Sequence, residues 1–185
     1  LNYSSPVEKR LVDTVKLRSD AKFASERPVL GFIGAGNYAS RMLIPAFKVA
    51  GAQFHTIVTA GGVNGVIHGE KGGFLDTTTN VDSLLANDNI DTVVIVTRHD
   101  THVDFVVRAL LAGKHVFVEK PLAIDLRGLN AVKLAYDEAH SRTPQGGPQL
   151  MVGFNRRFAP QIRKIQSLLL PIKEPKSFIM TINAG

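Results

Sequence analysis

The apolar positions of this chain fall into short runs that alternate with longer amphipathic stretches. The short runs predict strands at 29–33, 52–60, 91–97, 115–119 and 150–154, and the β-branched run at 91–97 is typical of a strand buried on both faces. The longer stretches predict helices at 40–51, 63–74, 81–88, 102–113, 125–140 and 160–170. Strands that alternate with helices predict an α/β fold, with a doubly wound, mostly parallel sheet covered by helices on both faces.

The beginning of the chain differs from this regular pattern. Residues 1–27 are polar and mixed in charge, and weak helical spacing at Val7, Leu11 and Val15 predicts a linker with a short helix. The chain starts at Leu1 and ends in an alternating, strand-like segment that would leave an exposed edge. We therefore expect an excised piece of a longer protein, with 1–27 as a linker or an upstream boundary.

Composition narrows the classes of partner. The chain has 44% hydrophobic and 21% charged residues, ordinary values for a globular protein, and no cysteine, which fits a cytoplasmic protein and excludes thiolate metal sites. No apolar run approaches the roughly 20 residues of a membrane helix, so we expect no membrane partner. The net charge of +6 is scattered and lacks interleaved aromatic residues, which favours a small anionic ligand over nucleic acid.

The stretch GAGNYA at 34–39 fits the pattern G-x-G-x-x-[GA] between a predicted strand and a predicted helix. In a dinucleotide-binding turn, Gly34 permits the tight bend, Gly36 lets the backbone approach a pyrophosphate, and Ala39 allows close packing of helix and strand. The N–H groups at the start of the helix then face the phosphate. A glycine-rich turn without a ligand is the alternative. In this context the motif favours a Rossmann-type sheet that binds NAD or NADP over a glycine-rich turn without a ligand.

The end of the second predicted strand bears on the choice of cofactor. An acidic residue is expected there to hold the ribose of NAD, but the sequence has Thr59 followed by Ala-Gly-Gly. No arginine stands there to clamp a 2′-phosphate either. The absent carboxylate removes a repulsion, which favours NADP over NAD.

The stretch TRHDTH at 97–102 follows the predicted strand at 91–97. Thr97 or Asp100 could contact a ligand or cap the following helix. His99 and His102 have a spacing that could serve a metal, but no third ligand stands nearby, so we expect no metal site.

The stretch HVFVEKPLAI begins at His115 and takes a buried strand directly into Glu119, Lys120 and Pro121. Two charged side chains before a proline are either a solvated edge or part of a site. Because carboxyl ends of parallel strands meet at one edge of the sheet, these residues are expected beside the glycine-rich turn.

Four stretches carry a resemblance. In order and spacing, GFIGAGNYA, TRHDTH, AGKHVFVEKPLA and VGFNRRFAP resemble the N-terminal half of the Gfo/Idh/MocA oxidoreductases, from about Val29 to Pro160. These are NAD(P)-dependent enzymes that act mostly on sugars, inositols and their derivatives. The TRHDTH and GFNRRFAP variants also resemble bi-domain proteins in which a zinc-type alcohol dehydrogenase-like region comes first.

The resemblance implies roles for individual residues. Lys120 is the catalytic lysine, beside the nicotinamide with Glu119, and Pro121 often follows a cis peptide bond. Thr97 and His102 line the cofactor groove. The complete set of expected cofactor-binding residues is Gly34, Gly36, Asn37, Tyr38, Ala39, Thr59, Thr97, Arg98, His102, Glu119, Lys120 and Pro121.

The resemblance also implies a domain division and a function. We expect a dinucleotide-binding domain over 28–157 and, over 158–185, the truncated start of a C-terminal α/β substrate domain whose first strand is SFIMTINAG. Family members draw an Asp and a His from that second domain and often associate through its sheet, so a homo-oligomeric parent is one expectation. The chain is thus expected to bind cofactor but to be catalytically incomplete for hydride transfer to or from a sugar or polyol. The alternative is a non-catalytic nucleotide-binding sensor or scaffold module.

Overall fold

The computed structural model describes residues 13–19, 22–143 and 146–181 of the 185-residue chain. The chain divides into one unit that ends at Gly153 and a second that begins at Phe154. In the second unit, a 3₁₀ turn at Asn155–Phe158 precedes a helix, α6, at Pro160–Leu169. The expected strand of SFIMTINAG is absent from its described residues, 177–181.

The first unit is built on one seven-stranded sheet in the order β1-β4-β3-β2-β5-β6-β7. The strands are β1 Thr14–Lys16, β2 Val29–Ile33, β3 Gln53–Val58, β4 Asp76–Thr78, β5 Thr92–Ile95, β6 His115–Glu119 and β7 Leu150–Gly153. Only β1 is antiparallel to its neighbour, β4, and every other pair is parallel. The predicted α/β class and the mostly parallel, Rossmann-type sheet are confirmed.

Helices connect the strands at the predicted places. They are α1 Ile44–Val49, α2 Gly62–Gly72, α3 Val81–Leu85, α4 His102–Leu111 and α5 Leu126–Ser141. A π-helical turn at Ala39–Leu43 leads into α1, and Pro45 stands in the first turn of α1. Because proline has no N–H to donate to the carbonyl four residues earlier, the hydrogen-bond ladder is interrupted at this point.

The core forms on both faces of the sheet because successive strand residues point to opposite sides. On β5, Val93 and Ile95 belong to an aliphatic cluster with residues of α4 and α5, whereas Val94 belongs to an aromatic cluster. Phe32, Phe54 and Phe74 form the centre of that second cluster, with ring centroids 5.0–6.0 Å apart. All three β5 residues are fully buried, which confirms the prediction of a strand covered on both faces.

The structure corrects the prediction for residues 1–27. Val15 lies in β1, not in a helix, because β1 pairs with β4 through Val15 and Thr77. Val7 and Leu11 lie outside the described residues. The partner strand β4 was also missed, since its sequence Asp-Thr-Thr has no apolar residue to mark it.

Candidate functional site

The candidate site lies where the order of the strands in the sheet reverses. From β2 the chain passes to β3 and β4 on one side, and then to β5, β6 and β7 on the other. In such sheets, ligands bind beyond the carboxyl ends of the strands where the order reverses, here between β2 and β5. The glycine-rich turn follows β2, and Thr97 follows β5 by two residues.

Two glycines of this turn are required for different reasons. Gly34 has φ +104°, and a Cβ there would lie 2.5 Å from the Val96 carbonyl oxygen, so the protein itself requires glycine at this position. Gly36 is exposed, and a Cβ there would meet no atom within 4 Å. The space above Gly36 therefore fits a group that approaches the backbone from outside, as a pyrophosphate does.

The remaining residues of the turn take different positions. Ala39 is fully buried, as expected for close packing of helix and strand. Asn37 and Tyr38 are exposed and neither lines the adjoining cleft. Their predicted contact with cofactor stays a prediction.

A cleft of about 610 Å³ opens beside the turn, within the size range of small-molecule sites. Its walls come from the carboxyl ends of β2, β3, β4 and β5, and include Gly34, Gly36, Thr59, Thr97 and Arg98. The structure thus brings together five predicted site residues that lie up to 64 positions apart along the chain. The lining residues that the sequence did not predict include Asn64, Thr79, Thr101 and Phe105. Thr101 stands within the TRHDTH stretch, whereas Asn64, Thr79 and Phe105 belong to no motif and are placed there by the packing of the strand ends.

Thr59 is buried at the end of β3, and its hydroxyl donates to the Gly61 carbonyl oxygen at 2.9 Å. A Cβ on Gly65 would lie 2.7 Å from the same hydroxyl oxygen. The Thr59 hydroxyl therefore donates its proton within the turn that leads into α2. A ribose hydroxyl could still donate to Thr59 Oγ1, but Thr59 has no proton left to donate to a ribose.

The loop after β5 is organised by its own polar groups. The Thr101 hydroxyl lies 2.7 Å from Thr97 Oγ1 and 2.8 Å from the Arg98 carbonyl oxygen. Arg98 donates from Nε and Nη2 to the two carboxylate oxygens of Asp100, at 3.2 and 2.7 Å. This hydrogen-bonded guanidinium lowers the pKa of the Asp100 carboxyl. Because α4 begins without a side-chain cap, the alternative that Thr97 or Asp100 caps it is wrong.

His102 corrects a prediction. Its side chain is fully buried, so it does not line the cofactor groove. Nδ1 lies 2.7 Å from the Pro121 carbonyl oxygen, and Nε2 lies 3.2 Å from the Thr97 carbonyl oxygen. Since both partners only accept, a neutral ring donates to one of the two. His102 therefore joins the loops that follow β5 and β6.

The two histidines of the TRHDTH stretch pack against each other. His99 and His102 have ring centroids 5.7 Å apart at an interplanar angle of 68°, so they pack edge to face. Within residues 13–19, 22–143 and 146–181, no group of three or more His, Cys, Asp or Glu side chains could hold a metal ion.

Glu119 and Lys120 end β6 in opposite environments. Glu119 is buried; its Oε2 accepts from the Lys120 backbone N–H at 3.3 Å, while its Oε1 is buried without a partner among the described residues. Lys120 is exposed, and its ammonium makes no hydrogen bond or ion pair with the described part of the chain. The Lys120–Pro121 peptide bond is cis. None of these three residues lines the cleft beside the glycine-rich turn, so their predicted contact with cofactor stays a prediction.

The family follows from comparison with known proteins. Residues 29–144, more than half of the chain, match the family described as "Oxidoreductase family, NAD-binding Rossmann fold". The chain belongs to the Gfo/Idh/MocA oxidoreductase family. The resemblance seen in the sequence is confirmed, and an upstream alcohol dehydrogenase-like region stays a prediction.

Individual members of the family give the level of similarity. The chain is 30% identical over 140 residues to inositol 2-dehydrogenase of Rhizobium meliloti, covering 75% of this chain and 39% of that protein. It is 29% identical over 109 residues to 1,5-anhydro-D-fructose reductase of Ensifer adhaerens, covering 59% and 33%. The structure of the 3-ketoreductase KijD10 from Actinomadura kijaniata, solved with TDP-benzene and NADP, superposes with a TM-score of 0.69 at 25% identity, covering 79% of this chain and 44% of that one.

The chain thus spans less than half the length of these three proteins. The shared part is the NAD(P)-binding Rossmann region of an oxidoreductase. No helix among the described residues is long and apolar enough to cross a membrane.

Proposed function

We propose that this chain is the cofactor-binding part of an oxidoreductase that transfers hydride between a nicotinamide dinucleotide and a CH–OH group of a sugar, an inositol or a related polyol. The observation that carries the proposal is the open space above Gly36, at the switch point of the sheet and beside a 610 Å³ cleft. The names of the relatives, an inositol dehydrogenase and a sugar reductase, support the substrate class.

The residues of the site fit a dinucleotide. The turn of Gly34 and Gly36 can take the pyrophosphate because no side chain fills the approach to Gly36. When bound, the nicotinamide ring supplies or accepts the hydride.

Lys120 is the residue to which we assign the proton chemistry. Its exposed ammonium can hold the reacting oxygen by a hydrogen bond and stabilise negative charge on that oxygen as the C–H bond changes. We further propose that NADP is preferred, since no carboxylate stands at the end of β3 to repel a 2′-phosphate. Acid and base groups from a second domain complete the set, so the 185-residue chain binds cofactor without turnover.

Titration of the chain with NADH and NADPH, followed by nicotinamide fluorescence, tests the proposal. Binding of at least one of them is the expected result. Failure of both to bind would remove the hydride-transfer function together with the sensor alternative.

Lys120→Ala in the longer protein that contains this chain separates enzyme from sensor. We expect kcat to fall by about 10²- to 10⁴-fold with little change in the affinity for the dinucleotide, because the lysine acts on the reacting oxygen. A wild-type protein that binds cofactor but reduces or oxidises no polyol, or a variant with unchanged kcat, would contradict the assignment.

A further inference from the structure

One wall of the cleft has no charged side chain. The wall at the end of β3 consists of Thr59, Ala60 and Gly61, with Asn64 from α2 beside them. The Thr59 hydroxyl is already bonded to the Gly61 carbonyl oxygen. This wall can neither attract a phosphate by charge nor repel it.

The facing wall carries the charge. Of the described residues that line the cleft, Arg98 and Asp100 are the only ones with charged side chains. They come from the loop after β5, roughly 40 positions along the chain from Thr59, and share one cleft with it because β2 lies between β3 and β5 in the sheet. A sequence window around the end of β3 does not contain this arginine.

The ion pair between Arg98 and Asp100 can be replaced by an ion pair between Arg98 and a ligand at little cost in free energy. The Arg98 side chain is 85% exposed and Asp100 is 50% exposed. Pairs of this kind contribute little to stability, because water screens them and solvates both partners. The planar fork of the Arg98 guanidinium donates to both carboxylate oxygens of Asp100, and the same two N–H groups can donate to two oxygens of a phosphate.

We propose that Arg98 selects the phosphorylated form of the cofactor by binding the 2′-phosphate of the adenosine ribose, and that Asp100 competes for the same guanidinium. The inference rests on the proposed dinucleotide function. Asp100 pairs with Arg98 and opposes a phosphate by its own charge. The pair therefore sets the ratio of the NADPH and NADH affinities, while the uncharged β3 wall leaves room for either cofactor.

The test measures dissociation constants of the 185-residue chain for NADPH and NADH by nicotinamide fluorescence. Arg98→Gln is expected to weaken NADPH binding by about 10- to 100-fold and to leave NADH binding nearly unchanged, since only NADPH carries the 2′-phosphate. Arg98→Lys, which keeps the charge but not the fork, should lie between the wild type and Arg98→Gln.

Asp100→Asn is expected to change the NADPH affinity in the opposite direction. Removal of the competitor is expected to tighten NADPH binding by about two- to fivefold, and to have no such effect when Arg98 is already glutamine. Arg127→Gln is the matched control, because Arg127 is exposed on α5 and does not line the cleft. It should change neither affinity.

The outcomes separate this inference from the proposed function. Equal losses for both cofactors in Arg98→Gln would place Arg98 on a shared part of the dinucleotide and overturn the inference. Wild-type binding of NADH but not NADPH would overturn it as well, with the dinucleotide function intact. Binding of neither cofactor would overturn both.

Discussion

The two lysines that flank β6 differ in their partners. The ammonium of Lys114, before the amino end of the strand, is paired by the chain itself, whereas that of Lys120, after the carboxyl end, is paired by no described residue. The buried ammonium of Lys114 donates to two carbonyl oxygens, each at 2.9 Å. The Gln53 amide, at the amino end of β3, bonds to the backbone of Ala24 and Arg27.

This difference distinguishes groups that hold the fold from groups that remain for a ligand. A buried polar atom without a partner costs free energy, so a folded chain normally supplies one. Glu119 Oε1, at the carboxyl end, is an exception, because it is buried and has no partner among the described residues. Asp76 Oδ1, at the start of β4, is the corresponding exception at the amino end, and nothing in the structure explains it.

The largest expected effect concerns the difference between Gly34 and Gly36 in the glycine-rich turn. Gly34→Ala should lower the free energy of unfolding by about 3–5 kcal/mol, because φ of +104° and the nearby Val96 carbonyl both oppose a Cβ. Gly36→Ala should leave stability almost unchanged and weaken NADPH and NADH binding, because only a ligand fills the space above it. Urea denaturation and cofactor titration of both variants measure the two effects.

The two glycine variants also control for each other. A Gly36→Ala variant that binds both cofactors as the wild type does would show that the pyrophosphate does not pass over this turn. A Gly34→Ala variant with unchanged stability would show that the turn relaxes around the new methyl group.

The second prediction removes a polar contact at the amino end of β6 and leaves the residues at its carboxyl end unchanged. Lys114→Met should lower the free energy of unfolding by about 2–3 kcal/mol, because it leaves the buried carbonyl groups of Asn87 and Ile90 without their charged donor. Cofactor affinity should not change. Lys120→Ala is the matched variant and should leave stability unchanged, so a reversed result for the two lysines would contradict the contrast.

The smallest effect concerns a histidine near the amino end of β3. His55 is buried; its Nδ1 lies 2.8 Å from Thr56 Oγ1 and its Nε2 lies 3.3 Å from Asn87 Nδ2. Asn87 Oδ1 accepts from the Asn89 N–H, which turns the Asn87 NH₂ group towards His55. Nε2 must therefore accept, and the ring is neutral.

The environment of His55 lowers its pKa below the ordinary value. Burial has the larger effect and outweighs the opposing attraction of Asp76, whose Oδ2 lies 3.6 Å from Nδ1. As pH falls below about 6.5, the unfolded chain takes up a proton that the folded chain resists. The stabilising contribution of the neutral ring is thus complete above that pH and is lost below it, until the lower folded-state pKa is reached.

His55→Gln tests this pH dependence because glutamine keeps a polar side chain that does not titrate. The difference in unfolding free energy between the wild type and the variant should be constant above pH 7 and should shrink between pH 6.5 and pH 5. We expect a smaller change than for Gly34 or Lys114. A difference that stays constant down to pH 5 would assign an ordinary pKa to His55.

Much of the fold was predictable because its signals are local. The apolar runs gave β2, β5 and β6 nearly to the residue, since strands buried on both faces leave few polar positions in the sequence. The strands β1 and β4 were not predictable, because each is three residues long and their pairing joins segments about 60 positions apart. Long-range pairing of this kind leaves no periodicity in the sequence.

For the site, the motifs GAGNYA and EKP identified which strand ends matter, because turn geometry and charge after a buried strand are local properties. They did not show that His102 is buried between two carbonyl groups, or that Arg98 lines the same cleft as Thr59. Those contacts depend on the order of the strands in the sheet. The side chains of a single segment do not determine that order.

By itself, therefore, the sequence determined the class of the sheet, the family and the strand ends that carry the chemistry. Only the tertiary structure decided which polar groups the chain pairs with itself and which it leaves open. The physical reason is that hydrogen bonding and burial are properties of neighbours in space, and the neighbours of Lys114 and Lys120 are set by packing across the sheet.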